Sequence, residues 1–149
     1  MKKSITIIFW ALLGIFFIIL AQFFIPLFRR FIRSSNIFLI FPLIFFILGI
    51  TLAFFAHREE NKNRLRSFLL LTGISASGFF ICILLHNVFY ALGTLLIDTI
   101  ILKYLIDFLG TIFFLLAVLV CPLSFLVGVV GFVISNIKDK KLKNKNNND

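Results

Sequence analysis

The sequence predicts an all-α integral membrane protein, four transmembrane helices in an up-down bundle. Three observations carry that prediction. Of 149 residues, 61% are hydrophobic and 14% are charged, against about 25% charged in a soluble domain. A single water-soluble domain of this size cannot hide so much apolar surface, so its solvent is lipid. All twenty-one Lys, Arg, Asp and Glu residues fall outside four runs, 4–28, 34–57, 67–97 and 108–137. Each run exceeds the ~20 residues that cross a hydrocarbon core as a helix. The apolar pattern inside the runs is continuous, not alternating, which excludes a β-barrel and leaves helices as the way to satisfy the backbone.

The first span is expected over about 5–28. Lys2 and Lys3 before an apolar run resemble a secretory signal, but the run is longer than the ~7–15 residues of a signal core. No good small-residue cleavage site precedes Gln22, so the segment reads as an uncleaved helix, with Pro26 tolerated near its end. The second span, about 37–56, follows a short loop in which Ser34, Ser35 or Asn36 can cap it. Rich in Phe, Leu and Ile, with Pro42 and Gly49, it is expected to serve as wall. The third span, 67–97, follows the polar loop 57–66. A loop at 98–107 leads to the fourth span, 108–137, with Pro122 inside it. These spans form one transmembrane domain, 1–137. The tail 138–149 is polar and basic and is expected to be disordered.

Lys and Arg set the expected orientation. The N-terminus, second loop and tail carry eleven basic residues, and the opposite side carries four: Arg29, Arg30, Arg33 and Lys103. Both termini are therefore expected in the cytoplasm. Asp98 and Asp107 share the other side with the three arginines, where an exposed cluster would contribute ~0–1 kcal/mol per pair.

The third span is the polar-rich one. Thr72, Gly73, Ser75, Ser77, Gly78, Cys82, His86, Asn87, Tyr90, Gly93 and Thr94 are threaded through it. In lipid, small residues mark helix interfaces because they let backbones approach. At 100° per residue, Gly110, Ala117, Cys121, Ser124, Gly128, Gly131 and Ser135 fall within an arc of about 80° on the fourth span. Ser75, Gly78, Cys82, His86, Tyr90 and Gly93 share a broader face of about 120° on the third. A kink at Pro122 would shift the phase of the fourth. Cys82 is sixteen residues from Arg66 and Cys121 seventeen from Lys138, so a tightly packed C-terminal hairpin would bring the cysteines level. Ser75 would then match Gly128, and His86 would match Ala117, to within one turn.

Four readings of this hairpin stay open. One is helix packing through Ser75, Gly78, Gly93, Ala117, Ser124, Gly128 and Gly131. A second is a metal held by Cys82, His86 and Cys121. A third is a Cys82–Cys121 redox pair, which needs Cα atoms within ~7 Å. The fourth is a polar pocket for a lipid or other hydrophobic molecule, headed by His86, Asn87 and Tyr90 near the membrane edge. Packing is the preferred reading, and no metal or cofactor is expected.

Other chemistry lacks its residues. No carboxylate lies inside a run, as a proton-coupled transporter generally requires. The sequence has no P-loop, HExxH, GxSxG or CxxC, and two cysteines cannot make a disulfide framework. No catalytic residues are assigned, and no enzyme is expected. The tail lysines fix orientation or attract anionic lipid. Without interleaved aromatics or a folded platform they do not indicate nucleic-acid binding.

The stretches from Leu70 to Gly78, Leu85-His86-Asn87 with Tyr90, and Val120-Cys121-Pro122 through Gly128 and Gly131 resemble a group of uncharacterised small four-span membrane proteins of bacteria and archaea. The resemblance covers the C-terminal half and implies a fold, not an activity. The expected function is a non-enzymatic membrane accessory or interaction protein, embedded in the bilayer as a homo-oligomer or part of a larger complex. The alternatives are a transporter or channel component, a binder of a hydrophobic ligand through the third helix, or an immunity or membrane-permeabilising protein.

Overall fold

The computed structural model describes residues 3–25, 37–59, 64–95 and 100–146. Helix α1 is Lys3–Phe24, α2 is Ile37–His57, α3 is Arg64–Leu95, α4 is Ile100–Leu115 and α5 is Cys121–Asn146. A π-helical turn, Leu116–Val120, joins α4 to α5 in one continuous rod. Four stretches are long and apolar enough to cross a membrane: Lys3–Gln22, Ile40–His57, Arg64–Leu95 and Ile101–Asp139. The chain is a small multi-pass membrane protein whose four spans pack side by side. Large apolar residues such as Ile7, Phe17, Ile101, Leu105 and Val130 face outward, as a protein dissolved in hydrocarbon permits.

Two boundaries differ from expectation. The third loop is shorter than 98–107, because α4 begins at Ile100 and takes Lys103 and Asp107 into its first turns. The last helix continues past 137 to Asn146, into the tail expected to be disordered. Both differences have one cause. A charge ends a hydrophobic run but not a hydrogen-bonded helix, and 138–146 contains neither Gly nor Pro to stop one. Arg29, Arg30, Arg33, the 34–36 cap, Pro26 and Asp98 lie outside the described residues.

Pro122 explains the π turn. It has no N–H, and its ring would collide with the carbonyl four residues back. The Cys121 N–H bonds to the carbonyl of Leu116, five residues back, so the helix widens just before the proline.

Helix α3 is the axis of the bundle, packed on α2, α4 and α5. Its contact with α2 is closest at Gly73, where an added Cβ would lie 2.8 Å from the Ala53 nitrogen and the Gly49 oxygen. At Gly49 it would lie 2.9 Å from the Cβ of Ala76. So α2 is not plain wall: Gly49 and Ala53 form a small-xxx-small step against Gly73 and Ala76. On α5, a Cβ at Gly128 would lie 2.9 Å from the Thr72 nitrogen, and one at Gly131 would meet the Phe68 ring. The C-terminal hairpin is tightly packed, as expected.

Helix α1 is held differently. Phe9 meets Phe132 at 4.3 Å between ring centres, Phe16 meets Phe125 at 4.5 Å, and Phe45 of α2 meets Phe125 at 5.5 Å. Bulky rings keep helix axes apart, whereas glycines draw them together.

Candidate functional site

The polar groups of α3 are mostly spent on their own helix. Thr72 donates to the Phe68 carbonyl at 2.8 Å, Ser77 to Gly73 at 2.8 Å, and Asn87 to Ile83 at 3.0 Å. Each bond runs one turn back, satisfying the side chain where lipid offers no partner. His86 is different. Its Nδ1 lies 2.9 Å from the carbonyl oxygen of Gly110 on α4. A carbonyl only accepts, so Nδ1 carries the proton. The ring also packs 5.2 Å from Phe114. Tyr90 and Asn87 are exposed.

Cys82 and Cys121 are free thiols, both half-buried, and Sγ of Cys121 is 3.6 Å from a Cβ position at Gly78, one turn from Cys82. Gly128 sits opposite Thr72 rather than Ser75, and His86 opposite Gly110 and Phe114 rather than Ala117. The first offset, three residues, is within one turn; Gly110 is seven residues from Ala117, about two turns. The offsets arise because Arg66 and Lys138 are not equivalent helix ends: α3 starts at Arg64 and α5 runs on to Asn146. Gly93 packs against Asp107, Ala117 is buried, and Ser124 is half-buried. Among the described residues, no three His, Cys, Asp or Glu side chains converge as a metal site, so Cys82, His86 and Cys121 do not form a triad.

A concavity lies elsewhere, between α1 and the π turn. It is a cavity of ≈ 260 Å³. One wall is Phe16, Ile19, Leu20 and Phe24 of α1, and the opposite wall is Val118, Cys121, Pro122 and Phe125. Phe45 of α2 and Ser75 and Phe79 of α3 form its floor. Its position follows from the packing. The Phe16–Phe125 contact props α1 away from α5, and the widened turn before Pro122 leaves the space unfilled. Ser75 and Cys121 supply the small polar part of an otherwise apolar lining.

Close to this cavity, Gln22 is 4% exposed, and its Nε2 has no hydrogen-bond partner among the described residues. It shares the buried face of α1 with Ile19, one turn away. Sequence reasoning missed Gln22 and the α1 wall. The usable signal was a lone amide in an apolar run; the aromatic wall gave none, because Phe occurs on every face.

No protein-family model, no curated protein and no solved structure matches this chain.

Proposed function

We propose that this chain is a non-enzymatic membrane accessory protein that acts by holding another membrane component rather than by transforming one. The observation that supports it most is the division of its interior. Thr72, Ser77 and Asn87 of α3 are occupied by backbone carbonyls, and a free concavity between α1 and the π turn is apolar. Kinship with the small four-span proteins it resembles in its C-terminal half, and cytoplasmic termini, belong to the same proposal. The excess of Lys and Arg at both termini and in the second loop supports that orientation.

The test is native mass spectrometry of the full chain from nanodiscs, comparing wild type with Gly128→Leu. A defined species at fixed stoichiometry, lost when the α3–α5 packing is disturbed, is the expected result. Unchanged folding and unchanged associations in Gly128→Leu would sink the packing part of the proposal.

A second reading is favoured by the cavity itself: the held component is a hydrophobic small molecule. The site then lies between α1 and the π turn.

A further inference from the structure

We propose that the junction of α2 and α3 binds the phosphate of an anionic glycerophospholipid, held between the guanidinium groups of Arg58 and Arg66. This goes beyond the accessory reading: it names a lipid that seats the bundle, not the component the bundle holds.

Helix α2 ends at His57 and α3 begins at Arg64, so both meet the same edge of the membrane. The glycine seam fixes their register. Gly73 packs on Ala53, and five residues outward from each along antiparallel helices bring Arg58 level with Phe68. The Arg66 backbone then lies only ~3 Å nearer the water. At 100° per residue, Arg66 shares the Gly73 face of α3, the face that packs on α2, whereas Arg64 falls on the opposite side.

Both cations are held at this level by protein contacts. The Nη2 of Arg66 donates to the His57 carbonyl at 2.9 Å, tying α3 to the end of α2. The backbone N–H of Arg58 donates to the Phe54 carbonyl at 3.1 Å, and its guanidinium lies 4.6 Å from the centre of the Phe54 ring. Phe54 is exposed within the apolar span Ile40–His57, so it faces hydrocarbon. A guanidinium folded back over that ring stands at the boundary between hydrocarbon and headgroups, instead of extending into water.

Lipid phosphates occupy that boundary. A guanidinium offers a planar fork of donors that matches phosphate oxygens. Two such groups already held in place lose little side-chain freedom on binding. A zwitterionic lipid brings its own ammonium toward the same cations, and a lipid of net negative headgroup does not. The junction therefore prefers the second. Glu59, half-buried at the same turn, opposes an anion and gives one test a definite sign.

The experiment titrates the full chain, in a neutral maltoside detergent, with phosphatidylglycerol or phosphatidylcholine. Native mass spectrometry resolves each bound lipid and yields the Kd of the first site. Phosphatidylglycerol should bind that site several-fold more tightly than phosphatidylcholine. Arg58→Gln and Arg66→Gln should each weaken it roughly 5-fold, the share of one basic residue at an anionic surface. Arg64→Gln and Lys141→Gln remove the same charge at the same end of the bundle, away from the junction. Each should change it by less than about 2-fold, because exposed charges beyond a Debye length are screened. Glu59→Gln should tighten it. Arg66→Gln also cuts the tie to His57; Arg58 is exposed, so Arg58→Gln carries the test if the Arg66 variant does not fold.

Equal affinity for the two lipids overturns the proposal. Weakening by Arg64→Gln or Lys141→Gln as large as that by Arg58→Gln overturns the junction as the site, and assigns the preference to the whole basic end. Weaker binding in Glu59→Gln overturns the electrostatic account. A last arm adds glycerophosphoglycerol, the same headgroup without acyl chains. Failure to displace the lipid at equal concentration supports a lipid site, and displacement overturns it in favour of a free phosphate diester.

Discussion

The α2–α3–α5 seam and the α1 seam join helices of the same composition by opposite means. In the first, Gly49, Gly73 and Gly128 bring backbones together until no added Cβ fits. In the second, Phe9, Phe16, Phe45, Phe125 and Phe132 interpose rings and hold α1 at a distance. In water both would be driven by apolar burial. In lipid that drive is absent, because the surrounding hydrocarbon is as apolar as the interior. What remains is contact quality: dense and unforgiving in the glycine seam, looser and porous in the phenylalanine seam. The difference places the cavity, which opens where the rings prop the helices apart.

The sharpest way to break the comparison is to overfill the dense side. Gly73→Leu places a side chain where backbone atoms of Ala53 and Gly49 already stand at 2.8 Å from the Cβ position. Backbone cannot rotate away, so α2 must shift. The expected loss is about 3 kcal/mol, the upper end of the overpacking range, read as a lowered unfolding midpoint in detergent. Gly131→Ala should cost less, because its obstacle is the Phe68 ring, which can move.

Emptying the porous side should cost less again. Phe125→Ala removes a ring that touches both Phe16 and Phe45. In a water-soluble core such a truncation costs ~3–5 kcal/mol. Here the lost term is dispersion alone, and lipid can enter the enlarged cavity, so about 1–2 kcal/mol is expected. A loss as large as that of Gly73→Leu would show that the α1 seam is not porous.

How much of this was legible follows from the same contrast. The seam on α5 could be read because glycine and cysteine are rare against the apolar background, and 3.6-residue geometry puts Gly128 and Gly131 on one side. That Cys121 comes within a turn of the level of Cys82 needed only helix rise. Gly49 and Ala53 were equally readable as a small-xxx-small step but were masked by the Phe, Leu and Ile around them. The aromatic seam was not readable at all. Phe16 is 6% exposed and its neighbour Phe17 is 57% exposed. Identical residues sit inside and outside because lipid removes the polarity contrast that marks a core in water. At the His86 end the helical face could be read, but the partner of His86 is a backbone carbonyl, which carries no residue signature, and Asn87 and Tyr90 are exposed. The cavity depends on the π turn and on ring packing, neither of which has a residue-by-residue signature.

A polar contact between α3 and α4 calibrates the rest. His86→Ala removes the bond from Nδ1 to the Gly110 carbonyl. Interhelical hydrogen bonds in membranes average ~0.6 kcal/mol and reach ~1.7. About 1 kcal/mol is expected, measured as a small shift in unfolding midpoint, with Phe114 settling into the vacated space. A loss beyond 2 kcal/mol would assign His86 more than a packing role.

The smallest expected effect is the most discriminating. Gly14 lies on α1, and a Cβ there would meet nothing within 4 Å. In a soluble helix, Gly→Ala would stabilise by ~1 kcal/mol through helix propensity. In a bilayer that gain should vanish, because a separated transmembrane helix stays helical and the reference state carries no coil. Gly14→Ala is therefore expected to change stability by less than about 0.5 kcal/mol, the usual bound for substitutions away from packed features. The same Gly→Ala change at Gly73 should be clearly destabilising, since the added methyl alone reaches backbone at 2.8 Å. A stabilising Gly14→Ala would mean that α1 loses its helix on unfolding and leaves the bilayer. A destabilising one would mean that something packs against the outer face of α1, turning the loose seam into an interface.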